Sequence, residues 1–435
     1  MQNHNPHSRL KRSKNTPFFH GWWVVTAAVV TFGIAVGLPY YNLPFFYDYF
    51  QSSFKWSVEE ITLGFPIAAL LTVWAGPLLI PRFSPRWLIV AGTGVSALAF
   101  FGFSAMKGSL WVYFGLYLLY TIGYICSGPI PHQLLVSYWF QQKRGRAMGI
   151  VYVGVGLLAG LGSFYVRALT EHLGFRAALA GVGCLMLLAW PLALLVLRDK
   201  PAEMNLFPDG ASTPPSDVKL APLGWRALFS SRAFWLLLIG SIFSIGAIGS
   251  VNIHMKFVFR DAGFSDQKLL NATWTAASVL ISWTSIAGRL GIGYFADLFS
   301  KKRVMMATYF GMSGAILVLL FVTAAHHASV YVFALLFGFA MGADYMLIPL
   351  MAAEQFGINT LSRAMAIILP LNTIGQTWCP QFVSFLRQRS ESYAMPLIVI
   401  FSIALAGAIA IALLPAKGTY PEKESLERTS STSKI

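Results

Sequence analysis

Charged residues are scarce in this chain. They make up 11% of its 435 residues, whereas apolar residues make up 56%. Soluble proteins carry about 25% charged residues, because a globule must cover its surface with them. This shortage excludes a soluble globular protein. The composition predicts an all-α polytopic membrane protein, since helices satisfy their own backbone hydrogen bonds in lipid.

Cysteine is also rare, and several chemical motifs are missing. Cys126, Cys184 and Cys379 each lie in an apolar run, which excludes a disulfide framework and a CxxC metal site. The sequence has no Gly-rich phosphate loop and no cluster of His, Asp or Cys at one membrane face. It also has no basic, aromatic-laced soluble surface. We therefore expect no metal, no cofactor, no nucleic-acid partner and no enzyme activity.

Long apolar runs are what the sequence has in abundance. A helix needs about 20 apolar residues to cross a bilayer, and twelve runs meet this requirement. The predicted spans are 21–47, 58–80, 87–106, 111–138, 146–166, 177–197, 233–255, 269–296, 304–325, 329–353, 364–386 and 393–415.

Basic residues concentrate on one side of these spans, and the net charge is +15. They lie in the N-terminal tail, in alternate loops and in the C-terminal tail. Because loops rich in Lys and Arg stay in the cytoplasm, we predict a multi-pass protein of the cell (inner) membrane with both termini cytoplasmic. The basic N-terminal tail is expected to touch anionic membrane lipids.

The two halves of the chain resemble each other at an offset of half its length. Two parallel six-span halves are typical of transporters that rock about a central midplane site. We therefore predict two pseudo-symmetric six-helix bundles. The matching pairs are Gly76 and Gly293, Arg86 and Arg303, and Arg146 and Arg363.

The longest polar interruption divides the chain into these halves. Residues 198–232 contain four prolines and are predicted to form a cytoplasmic linker. The predicted organisation is therefore a tail at 1–20, bundles at 21–197 and 233–415, and a tail at 416–435.

A loop motif after span eight resembles the signature G-x-x-x-D-R-x-G-R-K of the major facilitator superfamily. The chain has Gly293, Asp297, Lys301 and Lys302 at matching positions. In that family the loop holds the inward-closed arrangement through charge contacts. The resemblance implies a gating role for Gly293 and Asp297. It implies the same role for Arg82 and Arg86 in the N-terminal copy, where Ile80 replaces the acidic residue.

Three segments resemble the monocarboxylate transporter and oxalate/formate antiporter branch more closely. They are residues 21–25, residues 138–149 and residues 287–297. The resemblance implies a functional monomer that moves a small anionic substrate, lactate-like or pyruvate-like, with proton symport and rocker-switch alternating access. A dicarboxylate exchanger of the oxalate/formate type and an exporter of another small organic molecule remain as alternatives.

Two charges lie deep inside the predicted spans. A charge at this depth costs at least about 2.5 kcal/mol without a partner or a water-filled cavity. Arg289 in span eight offers a planar fork for a carboxylate, and the branch uses a span-eight Arg as substrate anchor. Asp344 in span ten is the candidate proton-coupling residue. A pair between Arg289 and Asp344 would lower both burial costs, so a fixed ion pair that braces helices is the alternative for each.

Other polar residues in the spans are candidates for the substrate cavity. His254 titrates near neutral pH and could bind substrate or relay a proton, or it could simply bond to backbone or water. Where animal relatives carry a Lys, this chain has Tyr40, and span eleven has no Lys. One cavity cation favours a monocarboxylate over oxalate. The remaining candidates for substrate contacts are Tyr124, Tyr345, Asn372 and Gln376.

Overall fold

The computed structural model describes residues 19–211, 222–390 and 392–415, and within them it contains helices and no strand. Most of the two predicted tails, including the basic residues expected to touch lipid, lies outside the described residues. So does the segment 212–221 of the predicted linker. The predicted all-α class is confirmed, and the bounds of the two bundles stay a prediction.

Within the described residues, twelve helical segments follow one another. The second, α2, consists of three short helices, and α1 contains one π turn and one 3-10 turn. The segments are α1 (Gly21–Phe54), α2 (Val58–Thr62, Gly64–Leu71 and Ala75–Leu79), α3 (Pro85–Ala105), α4 (Leu110–Trp139), α5 (Arg144–Leu173), α6 (Phe175–Leu195), α7 (Arg232–Asp261), α8 (Gln267–Leu298), α9 (Lys301–Leu320), α10 (Ala328–Phe356), α11 (Ile358–Arg389) and α12 (Ala394–Ala412).

Nine of these segments, within the described residues, are both long and apolar enough to cross a membrane. The exceptions are α2, α8 and α11. The first is broken into short pieces, whereas α8 and α11 each have 32 residues but carry polar side chains along one side. A helix that faces a water-filled cavity is expected to show this composition.

The boundary between α5 and α6 lies at Gly174, whose φ of +86° is left-handed and favours glycine. Helix α5 is longer than the predicted span 146–166. Arg167 and Glu171 continue it as an exposed i,i+4 ion pair of 2.7 Å. The helix therefore extends past the apolar run that the prediction followed, because such pairs stabilise exposed helical turns.

Helix α5 packs closely on α1 and on α8. A side chain at Gly154 would collide with the backbone of Val29 in α1, and one at Gly149 would collide with the backbone of Arg289 in α8. Small residues let helix backbones approach each other in membranes. The glycines of α5 therefore allow it to connect the N-terminal helices with the C-terminal ones.

Candidate functional site

The N-terminal and C-terminal helices meet most closely at one membrane face, which we call the closed face. It contains the turn between α4 and α5 and the turn between α8 and α9. A side chain at Gly145 would collide with the carbonyl oxygen of Gly293, and a side chain at Gly76 would collide with that of Ala366. The first contact joins α5 to α8, and the second joins α2 to α11. The path between the halves is therefore shut at this face.

Asp297 fastens the closed face. Its carboxylate accepts hydrogen bonds from the backbone amides of Gly145 at 2.6 Å and Arg146 at 3.0 Å, and it lies 3.5 Å from Nε of Arg146. The first amides of a helix lack partners within it and carry a partial positive charge. A carboxylate on α8 therefore caps the N-terminus of α5 in the other half, and Gly293 leaves the room for this approach.

A second carboxylate binds the same turn from the linker. Asp209 accepts from the backbone amides of Gln141 at 2.8 Å, Gln142 at 2.7 Å and Lys143 at 3.2 Å. Five amides between residues 141 and 146 thus bind two carboxylates. Asp297 reaches them from the C-terminal helices, whereas Asp209 ties the linker to the N-terminal ones.

The N-terminal copy of the loop motif has no carboxylate at the position of Asp297. The start of α3 is capped by Asp199 at the beginning of the linker, which accepts from the backbone amide of Arg86 at 2.8 Å. Ile80 is buried at the position that corresponds to Asp297. The guanidinium of Arg82, in the turn after α2, donates to the carbonyl oxygen of Leu78 at 3.0 Å. Arg86 donates through Nε to the carbonyl oxygen of Ala193, 3.0 Å away on α6. Neither arginine bridges the halves, so in this conformation only the C-terminal copy makes the charge contacts that the resemblance implied.

Arg289 lies about 13 Å inside the closed face, nine residues before the end of α8. Its Nη1 lies 3.4 Å from the position that a Cβ would take on Gly156, so the guanidinium lies against this part of α5. Tyr41 and Tyr152 are its electrostatic neighbours. Its Nε is buried and has no hydrogen-bond partner among the described residues.

A chain of polar groups joins Tyr152, the electrostatic neighbour of Arg289, to α10 and α11. Gln133 on α4 donates to the hydroxyl of Tyr152. The same amide nitrogen lies 3.5 Å from the carbonyl oxygen of Tyr345. The hydroxyl of Tyr345 donates to Oε1 of Gln376 at 2.6 Å. Both halves therefore contribute to one polar cluster, in which Oε1 of Gln133 also lacks a partner among the described residues.

Aromatic side chains form one wall beside this cluster. The ring of Tyr40 lies 5.2 Å from that of Phe65 and 5.9 Å from that of Tyr124, between centroids. Tyr124 and Tyr345 line a mostly apolar pocket between the halves, together with residues of α2 and α11 such as Ala69 and Pro370. The structure thus brings together five of the predicted site residues: Arg289, Tyr40, Tyr124, Tyr345 and Gln376.

Asp344 is fully buried but does not pair with Arg289. One carboxylate oxygen accepts from the hydroxyl of Ser244 on α7 at 2.9 Å, and the hydroxyl of Tyr309 on α9 is its other neighbour. No ion pair joins Asp344 and Arg289 in the described part of the chain. The expected pair is therefore wrong for this conformation, because the carboxylate faces α7 and α9 whereas the guanidinium faces α5.

Two predicted residues lie outside the cluster. His254 on α7 is buried, with Nδ1 3.1 Å from the Tyr393 hydroxyl and Nε2 3.0 Å from the carbonyl oxygen of Pro380. Asn372 accepts from Ser241 of α7 at 3.0 Å. The structure does not bring either side chain to Arg289. His254 joins α7 to α11 and to the start of α12, and Asn372 joins α11 to α7. For His254 this matches the alternative of a histidine bonded to backbone.

Sequence reasoning missed Gln133 and Tyr152. Gln133 is a fully buried amide inside an apolar span, and such a side chain requires a hydrogen-bond partner. That requirement was a usable signal. The sequence gives no comparable signal for Tyr152, because buried tyrosines are common in this chain. Only the packing of α5 against α8 places this tyrosine near Arg289.

Twelve membrane-length helical segments around a polar cluster between two halves define a multi-pass membrane transporter of small molecules. Residues 130–376, more than half of the chain, match the family described as Major Facilitator Superfamily. The chain belongs to the Major Facilitator Superfamily. The family expected from the loop motif is confirmed, and the chain is a transporter and not an enzyme.

The relatives include a monocarboxylate transporter and an efflux protein. The chain is 25% identical over 412 residues to monocarboxylate transporter 11 of Homo sapiens, covering 91% of this chain and 83% of that protein. It is also 25% identical over 398 residues to the fujikurins efflux protein of Gibberella fujikuroi, covering 89% of this chain and 78% of that protein. The resemblance to the monocarboxylate transporter branch is thereby confirmed.

A solved structure shares the fold. The crystal structure of the human organic anion transporter MFSD10 (TETRAN) matches with a TM-score of 0.66 at 13% sequence identity, covering 90% of this chain and 99% of that one. At this identity the similarity concerns the fold alone. It supports the arrangement of the twelve helical segments described above.

Proposed function

We propose that this protein is a secondary active transporter that moves a small monocarboxylate together with a proton. The observation that carries the proposal is Arg289, a half-buried cation between the halves whose Nε is buried and has no hydrogen-bond partner in the described part of the chain. A cation inside a membrane span costs at least about 2.5 kcal/mol unless a partner or water offsets it. An anionic substrate is such a partner.

The surroundings of Arg289 favour a single carboxylate. A guanidinium binds a carboxylate through two parallel hydrogen bonds. Tyr41 and Tyr152 lie beside it and provide hydroxyl groups, whereas no second cation belongs to the polar cluster in the described part of the chain. One cation balances one carboxylate, so lactate-like and pyruvate-like acids suit this site better than oxalate.

The closed face supports a rocker-switch mechanism. With both termini in the cytoplasm, as the basic loops favour, the closed face is cytoplasmic and the substrate would enter from the opposite face. Separation of α5 from α8 would break the cap that Asp297 makes on Gly145 and Arg146 and would expose Arg289 to the cytoplasm. Every element of this cycle belongs to one chain, which supports a functional monomer.

Asp344 is the proposed proton-coupling residue. It is the fully buried carboxylate of the spans, and its Oδ1 has no hydrogen-bond partner among the described residues. It lies next in sequence to Tyr345, which belongs to the cluster of Arg289. Because the two charges are not paired, coupling would pass through α10 and Tyr345 rather than through direct release of the arginine.

Replacing Asp344 with Asn tests this role. We expect the variant to exchange labelled substrate across proteoliposome membranes while losing substrate-driven proton uptake, since an amide cannot titrate. Ser244→Ala is the matched control, because it removes the serine hydrogen bond but keeps the carboxylate. Unchanged proton uptake by Asp344→Asn would remove Asp344 from the mechanism.

An exporter of a larger organic anion is the second candidate function. The apolar walls beside Tyr124 and Tyr345 favour it, since they would suit an apolar substrate body once the halves move apart; in this conformation they enclose about 20 Å³, room for about one water. The similarity to the fujikurins efflux protein points in the same direction. In this candidate function Arg289 still binds the carboxylate. The two functions differ only in the size of the apolar part of the substrate.

A counterflow experiment separates these functions. Proteoliposomes loaded with unlabelled pyruvate should accumulate labelled pyruvate, and external lactate should compete with it. Oxalate should compete at least about tenfold more weakly, because its second carboxylate would remain buried without a cation. Stronger competition by oxalate would favour the dicarboxylate exchanger. Competition by bulky aromatic acids alone would favour the exporter.

A further inference from the structure

A long apolar groove lies on the outer surface of the C-terminal helices, away from the polar cluster. We call it the α8–α10 groove, because α8, α9 and α10 form its walls. Its two threonines turn their hydroxyl groups to their own helices: Thr284 donates to the carbonyl oxygen of Leu280, and Thr308 donates to that of Val304. The groove therefore presents an apolar surface along its walls. Its lining includes Phe295, Phe299, Arg303, Gly311, Leu336 and Phe339.

The dimensions of the groove fit a hydrocarbon chain. From Thr284 to the end of α8 it extends about 21 Å, at 1.5 Å per residue. One leaflet of a bilayer contributes about 15 Å of hydrocarbon. A lipid chain that enters at the closed face can therefore lie in the groove along its whole length. The groove is open beside Gly311, where a Cβ would meet no atom of the described residues within 4 Å.

The mouth of the groove carries a cation without an internal partner. Three basic residues follow α8, and two are engaged: Lys301 lies 3.8 Å from Glu354, and Lys302 donates to the carbonyl oxygen of Leu414 at 2.5 Å. The side chain of Arg303 is exposed and, within the described residues, makes no ion pair or hydrogen bond. It lines the groove at the end that belongs to the closed face.

We propose that the α8–α10 groove binds one anionic phospholipid, with an acyl chain between α8, α9 and α10 and the phosphate on Arg303. A guanidinium suits a phosphate because its fork donates two hydrogen bonds. Lys301 and Lys302 add positive potential beside it, which favours a net anionic headgroup over a zwitterionic one. If the closed face is cytoplasmic, this lipid belongs to the inner leaflet, where anionic lipids concentrate.

Native mass spectrometry of the purified full chain tests the proposal. The protein is titrated in detergent with palmitoyl-oleoyl phosphatidylglycerol or with the phosphatidylcholine of the same chains. The first phosphatidylglycerol should bind about fivefold more tightly than phosphatidylcholine, the ratio that corresponds to one basic residue near an anionic surface. Arg303→Ala should lower this preference markedly, because only the potential of the engaged Lys301 and Lys302 remains, whereas Arg303→Lys should retain most of it.

Two further variants separate charge from shape. Gly311→Leu fills the groove without touching a charge, and it should lower the occupancy of both lipids; leucine also favours a helix more than glycine does. Lys143→Ala removes an exposed cation of the same face that does not line the α8–α10 groove, and it should leave lipid binding unchanged. Equal binding of both lipids by the wild type, unchanged preference in Arg303→Ala, or a protein dimer in place of the lipid adduct would overturn the proposal.

Discussion

Arg289→Ala is expected to abolish uptake of labelled pyruvate by proteoliposomes, with a loss of at least about 100-fold. Two charge-assisted hydrogen bonds to the carboxylate disappear, and each contributes about 1.5–3 kcal/mol. The vacated space borders Gly156 and Tyr152, so alanine there removes the anchor without introducing a clash. The measurement is the initial rate of uptake at equal amounts of reconstituted protein.

Two variants control this result. Arg289→Lys keeps the charge but loses the planar fork, and it should retain part of the uptake. Arg167→Ala removes an arginine from the exposed ion pair with Glu171 and should leave uptake unchanged, because exposed pairs contribute little. Wild-type uptake by Arg289→Ala would show that this arginine only braces helices.

Asp297→Ala is expected to open the closed face. The variant loses both backbone hydrogen bonds that join α8 to the N-terminus of α5. Hydrogen exchange should therefore accelerate about tenfold or more, both at residues 145–148 and at residues 364–370 of α11. The α11 segment is informative because it packs against Gly76 and not against Asp297, so faster exchange there reports opening of the whole face.

Asp209→Ala is the matched control for this experiment. It removes the other carboxylate from the same turn, but that carboxylate belongs to the linker and does not bridge the halves. Exchange should rise at residues 141–143 and stay unchanged at residues 364–370. If Asp297→Ala also leaves residues 364–370 unchanged, Asp297 caps α5 without holding the two halves together.

The helices could be predicted from the sequence because the bilayer sets a length that each apolar run must meet. The polar side of α8 and the broken course of α2 depart from this simple pattern, yet the overall hydropathy of their spans still identified them. The end of α5 was predicted less well. The ion pair between Arg167 and Glu171 continues the helix beyond the apolar run, and hydropathy does not detect such pairs.

The site was predicted only in part, because depth along a span follows from the sequence but direction around the helix axis does not. Arg289 and Asp344 lie at similar depth, which favoured a pair, but their side chains face different neighbours. The same uncertainty applied to His254, which turns toward Tyr393 and Pro380. Tyr152 joins the cluster only through the close approach of α5 and α8, a long-range contact that no local pattern encodes.

Proton-driven accumulation by the wild-type protein is the most direct test of the account. Proteoliposomes with an imposed pH gradient should concentrate labelled lactate or pyruvate on the alkaline side, and an ionophore that dissipates the gradient should release it. Accumulation no greater than that of protein-free liposomes, for every monocarboxylate tried and with either direction of the gradient, would contradict the proposal that this chain couples an organic anion to protons.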